Sequence, residues 1–361
     1  MGHAVDWELA RRIAGRVAGG EVPTPAVDDL ETDLLDLTAR AEEYVASETG
    51  LESDAGQAKA KVTDRDGWIG ANLASFDRLM RPLLGAFEDD EPPSGPIGRF
   101  LAPVSDAVGP RMAAAELGAL LGWMSRRVIG QYDLLIIEDE RPEDQDWVYY
   151  VGPNVRMLEQ RYGFPPREFR LWIALHECTH RAQFTGVPWL RPYFLGLVNE
   201  LLDNVDPDPS SLLDTLKDAA AAKRRGEGPS LAEGGLGALL ASPEQKATLD
   251  KMTGLMSLLE GHGDITMDRA GAGLIPSQPR FARVMASRRK QAKGPNKLIQ
   301  RVLGFEAKLA QYEEGESFIH AVEARGGRSL FDRVWEDAGH LPDIAEIREP
   351  QRWIDRMATT S

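Results

Sequence analysis

The sequence predicts a mainly α-helical protein with one small β-sheet. Apolar residues recur at helical spacing through most of the 361 residues. One stretch, residues 132–155, is instead rich in β-branched and aromatic residues. A hydrophobic fraction of 42% beside a charged fraction of 27% is typical of a chain that buries a sizeable core.

Three amphipathic helices are predicted in the first quarter of the chain. Apolar residues at steps of four indicate a helix over 5–20, and the same pattern recurs over 29–48. A third helix is predicted over about 66–88. The acidic, Pro- and Gly-rich segment 88–96 ends it and is expected to be a loop.

The middle of the chain changes from helix to strand. The run at 110–131 opens with Pro and is apolar nearly all round, which predicts a buried helix. Within it, Gly118 and Gly122 would let a neighbouring helix pack closely. Segments 132–139 and 147–155 follow as short strands separated by polar residues, and we expect them to pair.

Helical patterns resume after the strands and continue to the end of the sequence. Two of these helices, 165–184 and 242–269, are apolar on most sides and are expected to be buried. We therefore expect an N-terminal helical region over 1–130 that packs on the core. Residues 131–361 form the region that carries the candidate chemistry.

Charge and cysteine content exclude several classes of partner. Lys and Arg number 42 against 57 Asp and Glu, a net charge of −15 that disfavours nucleic acids and anionic membranes as general partners. The single cysteine cannot form an internal disulfide, which favours a reducing compartment. No apolar run approaches the roughly 20 residues of a membrane span, and no signal peptide is visible. We expect a soluble, cytoplasmic protein.

The helix at 165–184 carries the motif HExxH. His176 and His180 lie one turn apart and only about 40° apart around the axis, so both imidazoles can bind one ion. Glu177 lies beside them and can reach a metal-bound water. The alternative is two core histidines bonded to backbone groups, which would leave ionisable groups buried at a cost of several kcal/mol. The pattern therefore favours a zinc site with Glu177 as general base.

A catalytic zinc ion needs a third protein ligand and leaves one position for water. Glu260, in the helix at 242–269, is the preferred candidate because Asp264 follows on the same face. Asp264 could accept a hydrogen bond from the free nitrogen of a ligating histidine. His262 is the alternative ligand, although it points about 200° away from Glu260.

These residues resemble known metallopeptidases. HECTH followed by a helical EGHGD is similar to the gluzincin class, in which a glutamate completes HExxH. Most of the chain also resembles an actinobacterial zincin-like family, whose members are called zinc-dependent metalloproteases or hydrolases, some with a deazaflavin-cofactor biosynthesis label. The segments that carry this resemblance are DRDGWIGANLASF (64–76), GQYDLL (130–135), VGPN (151–154), LWIALHECTHRAQF (171–184), VPWL (187–190), LEGHGDITMD (259–268) and KLAQYEEGESF (308–318).

The resemblance implies a zincin-type core with zinc as the cofactor. One departure is the gap of 79 residues between His180 and Glu260, which is longer than in the better-known gluzincins. The family likeness also suggests Tyr312 as a donor to the oxyanion, because a tyrosine follows the glutamate ligand in aminopeptidase-like gluzincins. His262 and Tyr193 are the other candidate donors.

The predicted function is hydrolysis of a peptide or a small amide. Zinc would lower the pKa of its water from ~15.7 toward ~7, and Glu177 would take the proton as the water attacks the carbonyl. The alternative is a non-catalytic zinc-binding protein in which the metal organises the fold or binds a ligand. The absence of a recognisable substrate-pocket motif favours that alternative.

Overall fold

A computed structural model describes residues 5–19, 29–88, 111, 113–133, 146–203, 243–290 and 305–359. These residues are mostly helical with one small sheet, which confirms the predicted fold class. They fall into two compact units, one within 1–44 and 55–181 and the other within 45–54 and 182–361. None of the helices in these ranges is long and apolar enough to cross a membrane.

The first unit contains the helices from the N-terminal half of the chain. Two of them, α2 and α6, continue at their C-terminal ends into the second unit. Most of the predicted ends lie within two residues of the observed ones, but the helix predicted over 110–131 is shorter because the chain enters a strand at Gly130. The helices are α1 (Trp7–Ala18), α2 (Leu30–Thr49), α3 (Arg65–Glu88), α4 (113–125), α5 (Gly152–Tyr162) and α6 (Pro166–Gly186).

The sheet has the strand order β1–β3–β2 among the described residues. The central strand β3 (Trp147–Val151) pairs antiparallel with β2 (Gly130–Tyr132), which confirms the expected pairing. Strand β1 (Lys59–Thr63) pairs parallel with β3 and was not predicted. Its sequence, KAKVT, contains two lysines and only one buried residue, so it lacks the apolar content of a typical strand.

The predicted strand boundaries need two corrections. The strand expected over 147–155 ends at Val151, because Gly152 and Pro153 begin α5 with Pro in its first turn. The other strand begins at Gly130 rather than at residue 132. Residues 134–139 of its predicted range lie outside the described residues, as does nearly all of the predicted loop at 88–96.

Small residues bring α1 and α4 into close contact in the first unit. A Cβ atom at Gly118 would overlap the carbonyl oxygen of Ala10, and one at Gly122 would overlap that of Ala14. Ala10 and Ala14 are fully buried. The close packing expected at the two glycines is therefore confirmed, and a side chain at either position would force the helices apart.

The second unit is built around two long helices, α8 and α10. They meet backbone to backbone at Gly261 and Gly315, where a Cβ on Gly261 would lie 2.5 Å from the carbonyl carbon of Gly315. Helix α10 is interrupted at Gly327, whose φ of 73° is left-handed. The helices are α7 (Leu190–Asp203), α8 (Pro243–Ala270), α9 (Gln278–Lys290), α10 (Phe305–Asp332), α11 (Ile344–Arg348) and α12 (Pro350–Thr359), with short 3-10 turns at Arg333–Trp335 and Ala338–His340.

Candidate metal centre

The two histidines of HExxH point at a common position beside α6. Their Nε2 atoms are 3.1 Å apart, and the rings are nearly perpendicular with centroids 4.6 Å apart. Two nitrogens bound to one zinc ion at about 2.0–2.1 Å and a tetrahedral angle would lie about 3.4 Å apart. The spacing between His176 and His180 therefore fits two ligands of a single ion.

Glu260 of α8 belongs to the same group of side chains. The candidate ligand atoms of His176, His180 and Glu260 all lie within 4.8 Å of one another, and the three residues are half-buried. In the part of the chain that the structure describes, this is the one group of three or more His, Cys, Asp or Glu side chains whose ligand atoms are close enough to hold a metal ion. Two imidazole nitrogens and one carboxylate oxygen are the donor set of His₂Glu catalytic zinc sites, so the donor chemistry fits zinc.

The carboxylate of Glu177 is buried against strand β2. Its Oε2 atom accepts a hydrogen bond of 3.1 Å from the backbone N–H of Tyr132. A Cβ atom on Gly130 would lie 2.5 Å from Oε1 of Glu177 and 2.7 Å from its Cγ atom. Strand β2 therefore supplies both a donor to this carboxylate and the space that it occupies. A glycine within a strand often marks such a close approach, but sequence reasoning had assigned Gly130 and Tyr132 no role.

Residues of α3 hold the same strand from another direction. Nε1 of Trp68 donates to Oε1 of Gln131 at 2.7 Å, and Nε2 of Gln131 donates to Oδ1 of Asn72 at 3.2 Å. Nδ2 of Asn72 in turn donates to the carbonyl of Trp68 at 2.9 Å. These bonds fix the residue between Gly130 and Tyr132, so the DGWIGAN segment positions the strand that contacts Glu177.

A buried ion pair connects α6 to the start of β3. Arg181, which directly follows His180, donates to both carboxylate oxygens of Asp146, the shortest of these bonds being 2.6 Å. It also donates to Glu42 and, at 2.7 Å, to the carbonyl of Gly56. The hydroxyl of Tyr132 donates to Asp146 at 3.0 Å. Arg181, Asp146 and Tyr132 therefore form one hydrogen-bonded chain that ends at Glu177.

His262, the alternative third ligand, lies in a different environment. Its ring is buried, and its Nδ1 atom lies 2.9 Å from Nε2 of Gln183, while its Nε2 atom lies 3.4 Å from Oγ1 of Thr266. The ring centroid is 5.6 Å from that of Phe331 and 5.0 Å from that of Trp335. His262 is not part of the group of candidate ligands.

Asp264 lies on α8, four residues after Glu260, and is half-buried. This spacing places the two carboxylates on one face of the helix. The hydrogen bond from Asp264 to a ligating histidine stays a prediction.

The two candidate tyrosines occupy different helices of the second unit. Tyr312 lies on α10, one turn before Gly315, but its side chain lies outside the described part of the structure. The ring of Tyr193 on α7 packs edge-on against Trp189 with centroids 6.3 Å apart. Burial, with a smaller effect of Glu200, raises the pKa of Tyr193, so its phenol stays protonated at neutral pH.

Cys178 is a core residue of α6. It is 2% exposed, and its thiol lies 3.5 Å from the carbonyl oxygen of Thr38. Burial raises the pKa of the thiol far above its usual range, so the thiolate that a metal would bind is disfavoured.

Comparison with known proteins gives two matches over nearly the whole chain. A family model described as zincin-like metallopeptidase matches residues 5–354. The chain is also 30% identical to a protein from Chloroflexus aurantiacus whose crystal structure is described as that of "a putative hydrolase with a novel fold". That alignment has a TM-score of 0.70 and covers 98% of this chain and 99% of the other. No curated protein matches the sequence significantly.

Proposed function

Because this chain belongs to the zincin-like metallopeptidase family, we propose that it is a zinc-dependent hydrolase that cleaves a peptide or a small amide. The proposed ligands are His176, His180 and Glu260. The observation that carries the proposal is that their ligand atoms lie within 4.8 Å of one another. Zinc bound there would supply a water of pKa near ~7 and would polarise the scissile carbonyl.

Glu177 is the proposed general base. A base must bring its oxygen within about 2.6–3.2 Å of the group whose proton it takes, so its position matters as much as its basicity. The Tyr132 amide and the lack of a side chain at Gly130 support this role, because the amide holds one carboxylate oxygen and the glycine leaves room for the carboxylate beside the strand. In the proposed reaction Glu177 takes a proton from the attacking water and returns it to the leaving amine.

Tyr312 and Asp264 are assigned supporting roles in this proposal. Tyr312 would donate a hydrogen bond to the oxyanion, and its helix crosses α8 at Gly261, next to Glu260. Asp264 would accept a hydrogen bond from the free ring nitrogen of a ligating histidine. His262 is given no role at the reacting atoms, because both of its ring nitrogens lie near partners within its own unit.

The test compares zinc content and peptide hydrolysis in the wild type and in Glu177→Gln. The variant is expected to retain zinc and to lose turnover by about 10²–10⁴-fold, the usual contribution of general base catalysis. Glu168→Gln, on the same helix, is the matched control and is expected to keep full activity. His176→Ala is expected to lose both zinc and turnover.

The same measurements distinguish the enzyme from a non-catalytic zinc protein. If the wild type cleaves no member of a mixed peptide and amide library while a chelator unfolds it, the metal is structural and the proposal is wrong. If Glu177→Gln retains wild-type turnover, Glu177 is not the base.

A further inference from the structure

Gln183 is a fully buried polar residue on the same face of α6 as the two histidines. At about 100° per residue, it lies some 20° around the axis from His176 and some 60° from His180. A buried side-chain amide requires hydrogen-bond partners, because removing its polar atoms from water without replacing those bonds is unfavourable. Its partners therefore show which element this face of the helix contacts.

The amide of Gln183 bonds to two points on α8. Its Nε2 atom donates to the carbonyl oxygen of Leu259 at 3.0 Å and lies 2.9 Å from Nδ1 of His262. An amide nitrogen has two hydrogens and accepts no hydrogen bond, so Nδ1 is the acceptor. His262 therefore carries its proton on Nε2, which faces Oγ1 of Thr266 at 3.4 Å.

Both contacts lie next to the proposed third ligand. The carbonyl of Leu259 belongs to the peptide bond that leads into Glu260, so a hydrogen bond to it restrains the backbone from which the carboxylate extends. The second contact is also anchored, because the His262 ring packs against Phe331 and Trp335. Gln183 therefore holds α8 at two points, one on each side of Glu260.

We propose that Gln183 and His262 are positioning residues that hold Glu260 where the two imidazoles need their third ligand. The inference rests on the proposed function, since it assigns the two residues a role in metal binding. Neither residue binds the metal. Their contribution is to set the position of the Glu260 backbone before the ion arrives, so that less rearrangement opposes binding.

The test is zinc affinity, measured by competition with a chromophoric chelator. Gln183→Glu keeps the shape of the side chain but replaces the donor with an acceptor facing the Leu259 carbonyl. It is expected to weaken zinc binding by about 10–100-fold, the usual effect of losing a residue that orients a ligand. The visible spectrum of the Co²⁺-substituted protein is expected to change too, because a displaced Glu260 alters the coordination of the metal.

A pair of substitutions at the other residue separates positioning from simple packing. His262→Asn places an amide oxygen close to the position of Nδ1 and is expected to retain most of the zinc affinity. His262→Leu fills the space without an acceptor and is expected to lose affinity as Gln183→Glu does. Ser257→Ala is the control, because it removes a buried α8 hydroxyl that donates to the Thr253 carbonyl, within the same helix.

The outcomes are distinguishable. If Gln183→Glu binds zinc as the wild type does, or if His262→Asn and His262→Leu lose equal affinity, the positioning role is wrong. Ser257→Ala is compared with Gln183→Glu when the two variants lower the melting temperature by similar amounts. If Ser257→Ala then weakens zinc binding as much as Gln183→Glu does, the positioning role is also wrong. If the wild type itself binds no zinc, the proposed function fails, and this inference fails with it.

Discussion

Replacing Gly130 with alanine tests whether strand β2 positions Glu177, the proposed general base. The added Cβ would lie 2.5 Å from Oε1, 2.7 Å from Cγ and 2.8 Å from Cδ of Glu177, whereas ordinary contacts begin near 3.4 Å. Gly130 does not have a positive φ, so alanine is compatible with the backbone itself. The substitution therefore acts on Glu177 rather than on the strand.

The expected loss follows from the size of the overlap. Relief of the contact requires the carboxylate to retreat by about 1 Å, and a displacement of that size at a catalytic group can cost about 10²-fold in rate. The three heavy atoms nearest the new Cβ all belong to Glu177. We therefore expect kcat to fall about 100-fold while zinc content stays that of the wild type.

The assay is steady-state hydrolysis of the best peptide or amide found in a library, with zinc measured in the same samples. Gly196→Ala is the matched control, since a Cβ at Gly196 meets nothing within 4 Å and the residue lies in α7. It is expected to leave turnover unchanged. If Gly130→Ala retains the wild-type kcat, strand β2 does not position Glu177, and the reasoning is refuted.

Three further predictions concern stability. Asp146→Asn is expected to lower the free energy of unfolding by about 3 kcal/mol, because it removes the charge that pairs with Arg181 in the core. Asparagine tolerates the positive φ at this position, so the backbone itself should not be strained. Urea unfolding checks this prediction, and an unchanged midpoint contradicts it. Gly122→Ala is expected to cost about 1–3 kcal/mol by overpacking α1 against α4, measured by thermal unfolding against wild type, whereas an unchanged or raised melting temperature would argue against close packing. The ion pair with Arg269 lowers the pKa of Glu323 below 4.5, so this pair adds stability above that pH that is lost as the pH falls through the folded-state pKa. The melting temperatures of wild type and Glu323→Gln should therefore differ at pH 7 and converge in acid; a difference independent of pH would contradict this.

The parts of the site that depend on one helix were predictable from sequence. His176 and His180 lie one turn apart on α6, and the geometry of any α-helix brings their rings together. The sequence favours Glu260 over His262 because Glu260 shares a helix face with Asp264. The ligand atoms of Glu260 group with those of both imidazoles, and its role as a metal ligand stays a prediction. The helices themselves were recognised because their apolar periodicity extends over many turns.

The parts that depend on distant segments were not predictable in this way. Strand β1 has little apolar character of its own, and it forms by pairing with β3, more than 80 residues later in the sequence. The requirement for glycine at position 130 arises from the carboxylate of Glu177, which is 47 positions along the chain. Nothing in the local pattern of GQY indicates that contact, since it is a property of how strand and helix pack.

Segments that lie far apart in the sequence all contact strand β2, the strand against which Glu177 packs. Trp68 and Asn72 hold Gln131, and Arg181 holds Asp146, which accepts a hydrogen bond from the Tyr132 hydroxyl. Both sets of contacts end on β2, whose Tyr132 amide and Gly130 backbone surround one carboxylate. A core that needed only stability could bury apolar side chains here at lower desolvation cost than a buried ion pair. We propose that the buried contacts of Asp146 and the part-buried contacts of Gln131 serve to hold Glu177 in one position.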